Sequence, residues 1–305
     1  MDSSINSTAG FYQRSVDQMA GLRRNAEGLQ AQISTGERLS AASDDPVAAA
    51  SLRRLSRMDR LAEVDSANAA RASSDLQLAD GALQTIANDF ARARELAVYA
   101  GTGSLSPDQR AIVGVELAAI QESLLGTINI RGIGGNALFA GQGDGPAYVA
   151  DAAGNAAYTG TGAASTLALG EGLTVTAGIT GPEALGFANG GVSTDMLAFI
   201  KGLADTLQDT ALDGAAAARA SLGGFDEGLE VLTRAQTAIG VRVAWIETVQ
   251  VRHADNSEAR AQEATSQGGV DLATTISNLQ QTLTVLEASQ AGFVRIGQLS
   301  LFNSI

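Results

Sequence analysis

The residue types that most often carry chemistry are scarce in this chain. The only lysine is Lys201, which follows Ile200, so the sequence holds no Walker A motif for phosphate. There are no cysteines, which excludes disulfides and thiolate metal sites. The sole histidine, His253, lies among charged residues of a predicted helix, and no G-x-S-x-G pattern is near it. We therefore expect a solvated surface histidine and not a catalytic base.

Two glycine-rich stretches and one pair of carboxylates are the remaining candidates for chemistry. Gly132, Gly134 and Ala137 have the spacing of a dinucleotide fingerprint, but no convincing strand and helix flank them. The stretch 141–145 is similar to a calcium turn, yet it lacks further carboxylates at ligand spacing. The pair Asp44-Asp45 could do acid–base work only in an apolar pocket, which nothing indicates. The sequence predicts no enzyme and no catalytic, metal or cofactor site; a protein that binds nucleotide or calcium through the glycine-rich stretch stays as the weakest alternative.

Composition narrows the class of protein further. A chain of 305 residues with 45% hydrophobic residues can form a sizeable core. Its net charge of -13 argues against nucleic acid as a partner, because phosphates need a basic surface. The first residues lack an apolar core of signal-peptide length, so we expect no cleavable signal peptide, and we expect no segment apolar enough to cross a membrane.

Both ends of the chain carry apolar residues at alternating steps of three and four, the pattern of a coiled-coil seam. The N-terminal stripe is Tyr12, Val16, Met19, Leu22, Ala26, Leu29 and Ile33; the C-terminal stripe is Leu272, Ile276, Leu279, Leu283, Leu286 and Phe293. Neither end has enough chain nearby to bury its stripe. We expect the stripes to meet each other or to meet copies in other subunits, which indicates an assembly protein.

Periodicity and punctuation between the two ends predict the remaining elements. A helix is expected over 46–100, and Ser106 should cap a second helix that begins at Pro107. Between Arg131 and Val192 lie 16 of the 35 glycines, with strands predicted over 165–169 and 173–179. Helix resumes at Asp195, and Gly268-Gly269 separates the last two helices.

These elements predict a mainly α protein with an inserted β-domain (α+β). The expected architecture is a long antiparallel helical rod with coiled-coil terminal helices and a small outer β-domain. Three domains follow: a terminal coiled-coil assembly domain (1–41 and 264–305), a helical rod domain (42–131 and 193–263) and a glycine-rich β-domain (132–192).

The stretch 34–50, STGERLSAASDDPVAAA, resembles the N-terminal signature of the flagellin superfamily. Its motif residues are Ser34, Thr35, Gly36, Asp44, Asp45 and Pro46. Gly36 can close one helix, while Asp44 or Asp45 can cap the next and Pro46 suits its first position. The DDPVAAA segment, Gly135–Gly141 and the closing SLFNSI are similar to the hook-filament junction branch of that superfamily; a flagellin, the filament subunit, is the alternative.

Membership of this branch would imply a role that composition does not show. Such proteins are exported without a cleaved signal through the flagellar type III channel and lie outside the cell at the hook-filament junction. They join the first hook-associated protein to flagellin and form a ring of copies, and a chaperone holds them before export. The resemblance also implies that the two terminal stripes are assembly surfaces and fold as the subunits assemble, with no membrane insertion.

Overall fold

The computed structural model describes the backbone of residues 2–302 and the side chains of residues 10–296. Helices dominate this part of the chain. They are α1 Asp2–Thr35, α2 Pro46–Ala100, α3 Pro107–Ile128, α4 Gly181–Leu185, α5 Met196–Gln208, α6 Gly214–Gly268 and α7 Leu272–Phe302. The predicted helix over 46–100 is confirmed, and so are the helix that begins at Pro107 and the break after Gly268.

The sequence signals at helix ends work as expected. Ser106 accepts a hydrogen bond from the Gln109 amide at the start of α3, while the Gln109 side chain accepts one from the Ser106 amide. This is a capping box, which satisfies two amides that the helix leaves without partners. Asp195 likewise caps α5 through the Ala198 amide at 2.9 Å.

The β-structure consists of three separate antiparallel hairpins. Their strands are β1 Tyr148–Ala150 with β2 Ala156–Tyr158, β3 Thr166–Gly170 with β4 Leu173–Thr176, and β5 Gly186–Asn189 with β6 Val192–Asp195. The pair β3–β4 confirms the two predicted strands. The sequence pattern missed the other four strands, which lack apolar alternation: β1 and β5 each bury one residue, and β2 and β6 bury none. The chain is therefore mainly α with a small β part.

Contacts divide the chain into two compact units. One unit comprises residues 1–60 and 256–305, and the other comprises Leu61–Asp255. Both boundaries fall inside long helices, α2 and α6, and not in loops. The division into three domains stays a prediction from the sequence.

The unit Leu61–Asp255 has a core of apolar side chains from α2, α3, α5 and α6. At its centre Phe90 is fully buried against Phe187, Phe199 and Phe225, with ring centroids 4.9–6.4 Å away. A Cβ atom at Gly228 would lie 2.5 Å from the Phe90 ring, so only glycine fits there. The β5–β6 hairpin is held against the helices by this cluster.

One expectation about hydropathy was wrong. Among the described residues, α3 is long and apolar enough by composition to span a membrane. Its buried face, which includes Val113, Leu117, Leu124 and Ile128, belongs to the core of its unit, and α3 packs along α5. Tertiary packing therefore accounts for this face, while Ile112 and Val115 elsewhere on α3 are 70% and 60% exposed.

Candidate assembly site

The two terminal helices pair with each other as an antiparallel coiled coil. Near one end of the pair, the rings of Tyr12 and Phe293 meet edge to face with centroids 5.3 Å apart. At the other end, the Val270 amide donates to the Gly36 carbonyl at 3.0 Å. The first of the two expected arrangements, in which the stripes meet within one chain, is therefore present in this structure.

The line of contact differs from the predicted stripe at every second step on α7, whereas on α1 it differs only at Val16. The least exposed side chains of α7 are Thr275, Leu279, Thr282, Leu286, Ser289 and those around Phe293, and on α1 they include Tyr12, Met19, Leu22, Ala26, Leu29 and Ile33. By contrast, Val16, Leu272, Ile276 and Leu283 remain 42–50% exposed. A helix turns about 100° per residue, so two neighbouring lines of side chains run along α7 and share Leu279 and Leu286. One line also contains Thr275 and Thr282, and the other contains Ile276 and Leu283. A 3.5-residue spacing alone does not choose between the two lines.

Apolar residues flank the contact line on both sides. We call one side the groove flank; it is lined by Phe11, Met19, Leu22, Val285, Phe293 and Ile296 around a groove of about 680 Å³. The helical rotation places Val16, Leu272, Ile276 and Leu283 on the opposite side, which we call the open flank. The sequence pattern missed Phe11, Val285 and Ile296, which an analysis of the adjacent helical lines could have found.

The family motif forms the turn that links α1 to α2. Gly36 has a φ of +73°, a left-handed conformation that favours glycine and ends α1. Ser34 and Thr35 donate back to the Ala31 carbonyl at 2.9 and 3.0 Å. Pro46 is the first residue of α2, as expected.

The two aspartates of the motif have different partners. Asp44 accepts hydrogen bonds from the Ser40 hydroxyl at 2.8 Å and from the Ser40 and Ala41 amides at 3.0 and 2.8 Å, which closes the turn. Asp45 caps α2 through the Ala48 amide at 3.0 Å and also binds Arg38. These bonds use the carboxylates as structural acceptors, not as an acid–base pair.

Arg38 is the residue that sequence reasoning missed. Its amide donates to the Gly268 carbonyl at 2.7 Å, and its guanidinium donates to the Gln267 carbonyl at 2.8 Å and to Asp45 at 3.1 Å. Gln32 donates to the Arg38 carbonyl at 2.8 Å. Arg38 therefore ties the end of α1, the start of α2 and the end of α6 together. The sequence contains no signal for the contact with α6, because Gln267 lies 229 residues from Arg38 and is bound through its backbone carbonyl.

The carboxylates of this region make its stability dependent on acid. The Ala41 and Ala48 amides are the largest causes that lower the pKa values of Asp44 and Asp45, and the Thr274 hydroxyl does the same for the pKa of Asp271, which caps α7. A carboxyl group whose pKa is lower in the folded state stabilises the fold above its unfolded value and loses this effect as pH falls. We expect the turn to open first as pH falls below about 4.

Amide chemical shifts of Ala41, Ala48 and Ala273, followed by NMR from pH 6 to pH 2, test this prediction. The Asp44→Asn variant serves as control, since it should lose the acid dependence at Ala41 while Ala273 titrates as before. Amide shifts at Ala41 and Ala48 that stay constant down to pH 2 would contradict the prediction.

None of the other candidates forms a site with chemistry in the described residues. The stretch 132–137 is a tight turn that follows α3, closed by the Gly132 amide on the Asn136 carbonyl. Gly141 has a φ of +69°, and a Cβ atom there would clash with Thr161, so glycine is needed at this position for the backbone conformation and for packing. His253 is half-buried, and its Nδ1 atom has no hydrogen-bond partner there, so the expected solvated histidine was wrong. No cluster of three or more metal-ligating side chains occurs between residues 10 and 296.

Comparison with known proteins agrees with the motif. The family model for the bacterial flagellin N-terminal helical region matches residues 8–144. Flagellar hook-associated protein 3 of Escherichia coli (strain K12) is 25% identical over 97% of this chain and 98% of its own length. Flagellar hook-associated protein 3 of Legionella pneumophila, 15% identical, covers 70% of this chain and 98% of its own with a TM-score of 0.63. The flagellar junction protein of Legionella pneumophila, 16% identical, covers 72% of this chain and 99% of its own with a TM-score of 0.58.

The fold is that of a mainly helical protein with paired terminal helices and small β-hairpins, and it is shared with these solved structures. The chain is similar to the flagellin superfamily, whose N-terminal helical region matches residues 8–144. Within that superfamily, its similarity over nearly the whole length is to hook-associated protein 3. The resemblance inferred from the motif is thereby confirmed.

Proposed function

We propose that this protein is a structural subunit of the bacterial flagellum at the junction of hook and filament, without catalytic activity. The observation that carries the proposal is the pair of apolar flanks on α1 and α7. One chain covers the line between its helices but leaves the groove flank and the open flank exposed. Contiguous apolar surface of this kind is typical of an interaction site.

Two flanks on opposite sides of one helix pair suit a subunit that lies between two neighbours. If the groove flank of one copy receives the open flank of the next, every copy makes the same two contacts and a ring or tube closes. This arrangement accounts for a stripe whose members Val16, Ile276 and Leu283 lie outside the intramolecular contact. We therefore assign them to contacts between subunits.

Assembly would also complete the folding of the terminal helices. Among the apolar side chains between 10 and 35 and between 272 and 296, only Ala26 and Leu286 are buried. Isolated helices gain most of their stability from packing an apolar face, and two helices alone bury little area. We infer that the pair is only marginally stable in a free subunit and becomes ordered when neighbouring subunits cover both flanks.

The same proposal assigns roles to the other parts of the chain. The terminal pair (1–41 and 264–305) would form the assembly domain, the helices of 42–131 and 193–263 a rod domain, and residues 132–192 an outward β-domain. The subunit would join hook-associated protein 1 on one side to flagellin on the other, in a ring of copies. It would reach this place by export without a cleaved signal, held beforehand by a chaperone. The extent of similarity to hook-associated protein 3 supports this assignment.

A deletion strain tests the function directly. We expect cells that lack this protein to build hooks of normal length, to lose motility and to release filament protein into the medium, because nothing would hold the filament on the hook. Electron microscopy and immunoblots of the medium measure both effects. The full chain supplied from a plasmid is the control. Filaments that persist on the hooks of the deletion strain would exclude the junction role.

A seeding assay separates this role from that of a filament subunit. Purified chain added to short filament seeds should cap them and not extend them, whereas a flagellin added in the same way would produce long filaments. Continuous extension by this protein alone would favour the flagellin alternative.

A further inference from the structure

The unit Leu61–Asp255 carries a second unpartnered surface along the solvent side of α2 and α3, which consists of two neighbouring cavities and which we call the groove. The first cavity is lined by Gln77, Leu78, Gly81, Thr85, Ser123, Gly126, Thr127 and Ile130, and the second by residues that include Arg92, Glu95, Tyr99, Gln109, Ile112 and Glu116. Arg92 pairs with Glu116 at 2.8 Å in the second cavity. The groove is therefore uncharged at one end and charged at the other. From Leu78 to Tyr99 it runs about 32 Å along α2.

Two glycines deepen the groove, although no other part of the chain packs closely against them. A Cβ atom at Gly81 or at Gly126 would meet no other atom within 4 Å. Both glycines lie inside helices, where glycine costs about 1 kcal/mol relative to alanine. The space that they leave open is free to receive a side chain from outside.

A ridge of exposed apolar residues on α6 belongs to the same unit. Trp245, the only tryptophan, is 41% exposed, and Val241 and Val251 are 66% and 62% exposed. Thr237 and Thr248 lie on the same side of the helix at helical spacing. The ridge from Thr237 to Val251 is about 21 Å long, which is shorter than the groove. Exposed tryptophan at the centre of such a surface is typical of interface anchors.

The charges of the two surfaces are complementary. In and beside the groove, Asp89, Glu95 and Glu116 outnumber Arg92. The ridge has Arg234 and Arg252 near its two ends; Arg234 also pairs with Glu230 on its own helix, and Arg252 lies 3.9 Å from Glu171. An acidic groove favours the approach of a ridge that has arginines at its ends, and opposite charges fix the register of such contacts.

We propose that the α6 ridge of one copy docks into the α2–α3 groove of a second copy, with Trp245 over Gly81 and Gly126. The two surfaces differ, so the contact runs from head to tail and propagates around a ring instead of closing a two-fold dimer. This inference rests on the proposed assembly role for its setting, and it adds a lateral contact that does not involve the terminal helices. A single ridge is a small interface, so the contact is weak between two free copies.

Disulfide trapping of the purified full chain tests this contact, and the absence of native cysteine makes the result unambiguous. Val241→Cys protein is mixed with Thr85→Cys protein at high concentration and oxidised mildly. We expect a mixed disulfide at least tenfold above the yield of a control mixture in which Ala220→Cys, an exposed site far along the same helix, replaces Val241→Cys. Equal yields in the two mixtures would overturn the proposal.

A blocking substitution provides the second arm. Gly126→Leu, added to the Thr85→Cys protein, fills the groove and should remove the excess of mixed disulfide. Gly202→Leu is the matched control, because Gly202 is also an exposed glycine inside a helix with nothing within 4 Å, but it lies outside the groove. A trapped yield that Gly126→Leu leaves unchanged would overturn the docking site. Both measurements use purified protein, so their failure is distinguishable from a failure of the junction role in the deletion strain.

Discussion

Cells that carry Leu283→Asp in place of the native chain should release their filament protein into the medium, although the variant folds and is exported. Leu283 is 42% exposed and lies on the open flank of α7, outside the contact with α1. If a neighbouring subunit covers the exposed 42% of this side chain, the substitution loses roughly 0.6–1.3 kcal/mol of apolar burial at each contact. It also places a carboxylate at an apolar interface, which costs at least as much again. A combined loss of about 2 kcal/mol weakens each contact roughly 30-fold.

Two measurements and a control variant separate failed assembly from other causes. Thermal unfolding of the purified variant shows whether the fold is intact, and immunoblots of the medium show whether it leaves the cell. Thr284→Asp is the matched control, because it places the same charge one residue further along α7 at an exposed polar position. Normal filaments in the Leu283→Asp strain would exclude the open flank from the contacts between subunits.

The largest effect on stability is expected from Phe90→Ala. Phe90 is fully buried in the aromatic cluster, and Gly228 lies directly against its ring. Removing a buried phenylalanine ring costs about 3–5 kcal/mol, because apolar contacts are lost and a cavity remains. In a unit of this size the melting temperature should fall by roughly 10 °C.

Calorimetry or circular dichroism checks the size of this effect. Tyr99→Ala removes an aromatic ring from the same helix at an exposed position, and it should change the free energy of unfolding by less than about 0.5 kcal/mol. A Phe90→Ala protein that melts together with the native chain would show that the cluster is not the centre of the core.

Much of the fold could be predicted from local signals in the sequence. The Ser106-Pro107 start of α3, the Gly36 end of α1 and the Asp45-Pro46 start of α2 each depend on residues within a few positions of one another. Helix caps and left-handed glycines depend only on nearby residues, so the sequence alone predicts the helix ends that they form. The short strands β1, β2, β5 and β6 were missed because partners elsewhere in the chain decide which of their residues are buried.

The motif of 34–50 and the spacing of apolar residues were sufficient, by themselves, to reveal the resemblance to the flagellin superfamily and the existence of two terminal stripes. Only the tertiary structure decided which line of each stripe faces inward. A 3.5-residue pattern fits two adjacent lines of a helix equally well, and contact with the partner helix selects Thr275 and Thr282 over Ile276 and Leu283. The role of Arg38 was also invisible in the sequence, since its partners Gln267 and Gly268 become its neighbours only when the chain folds.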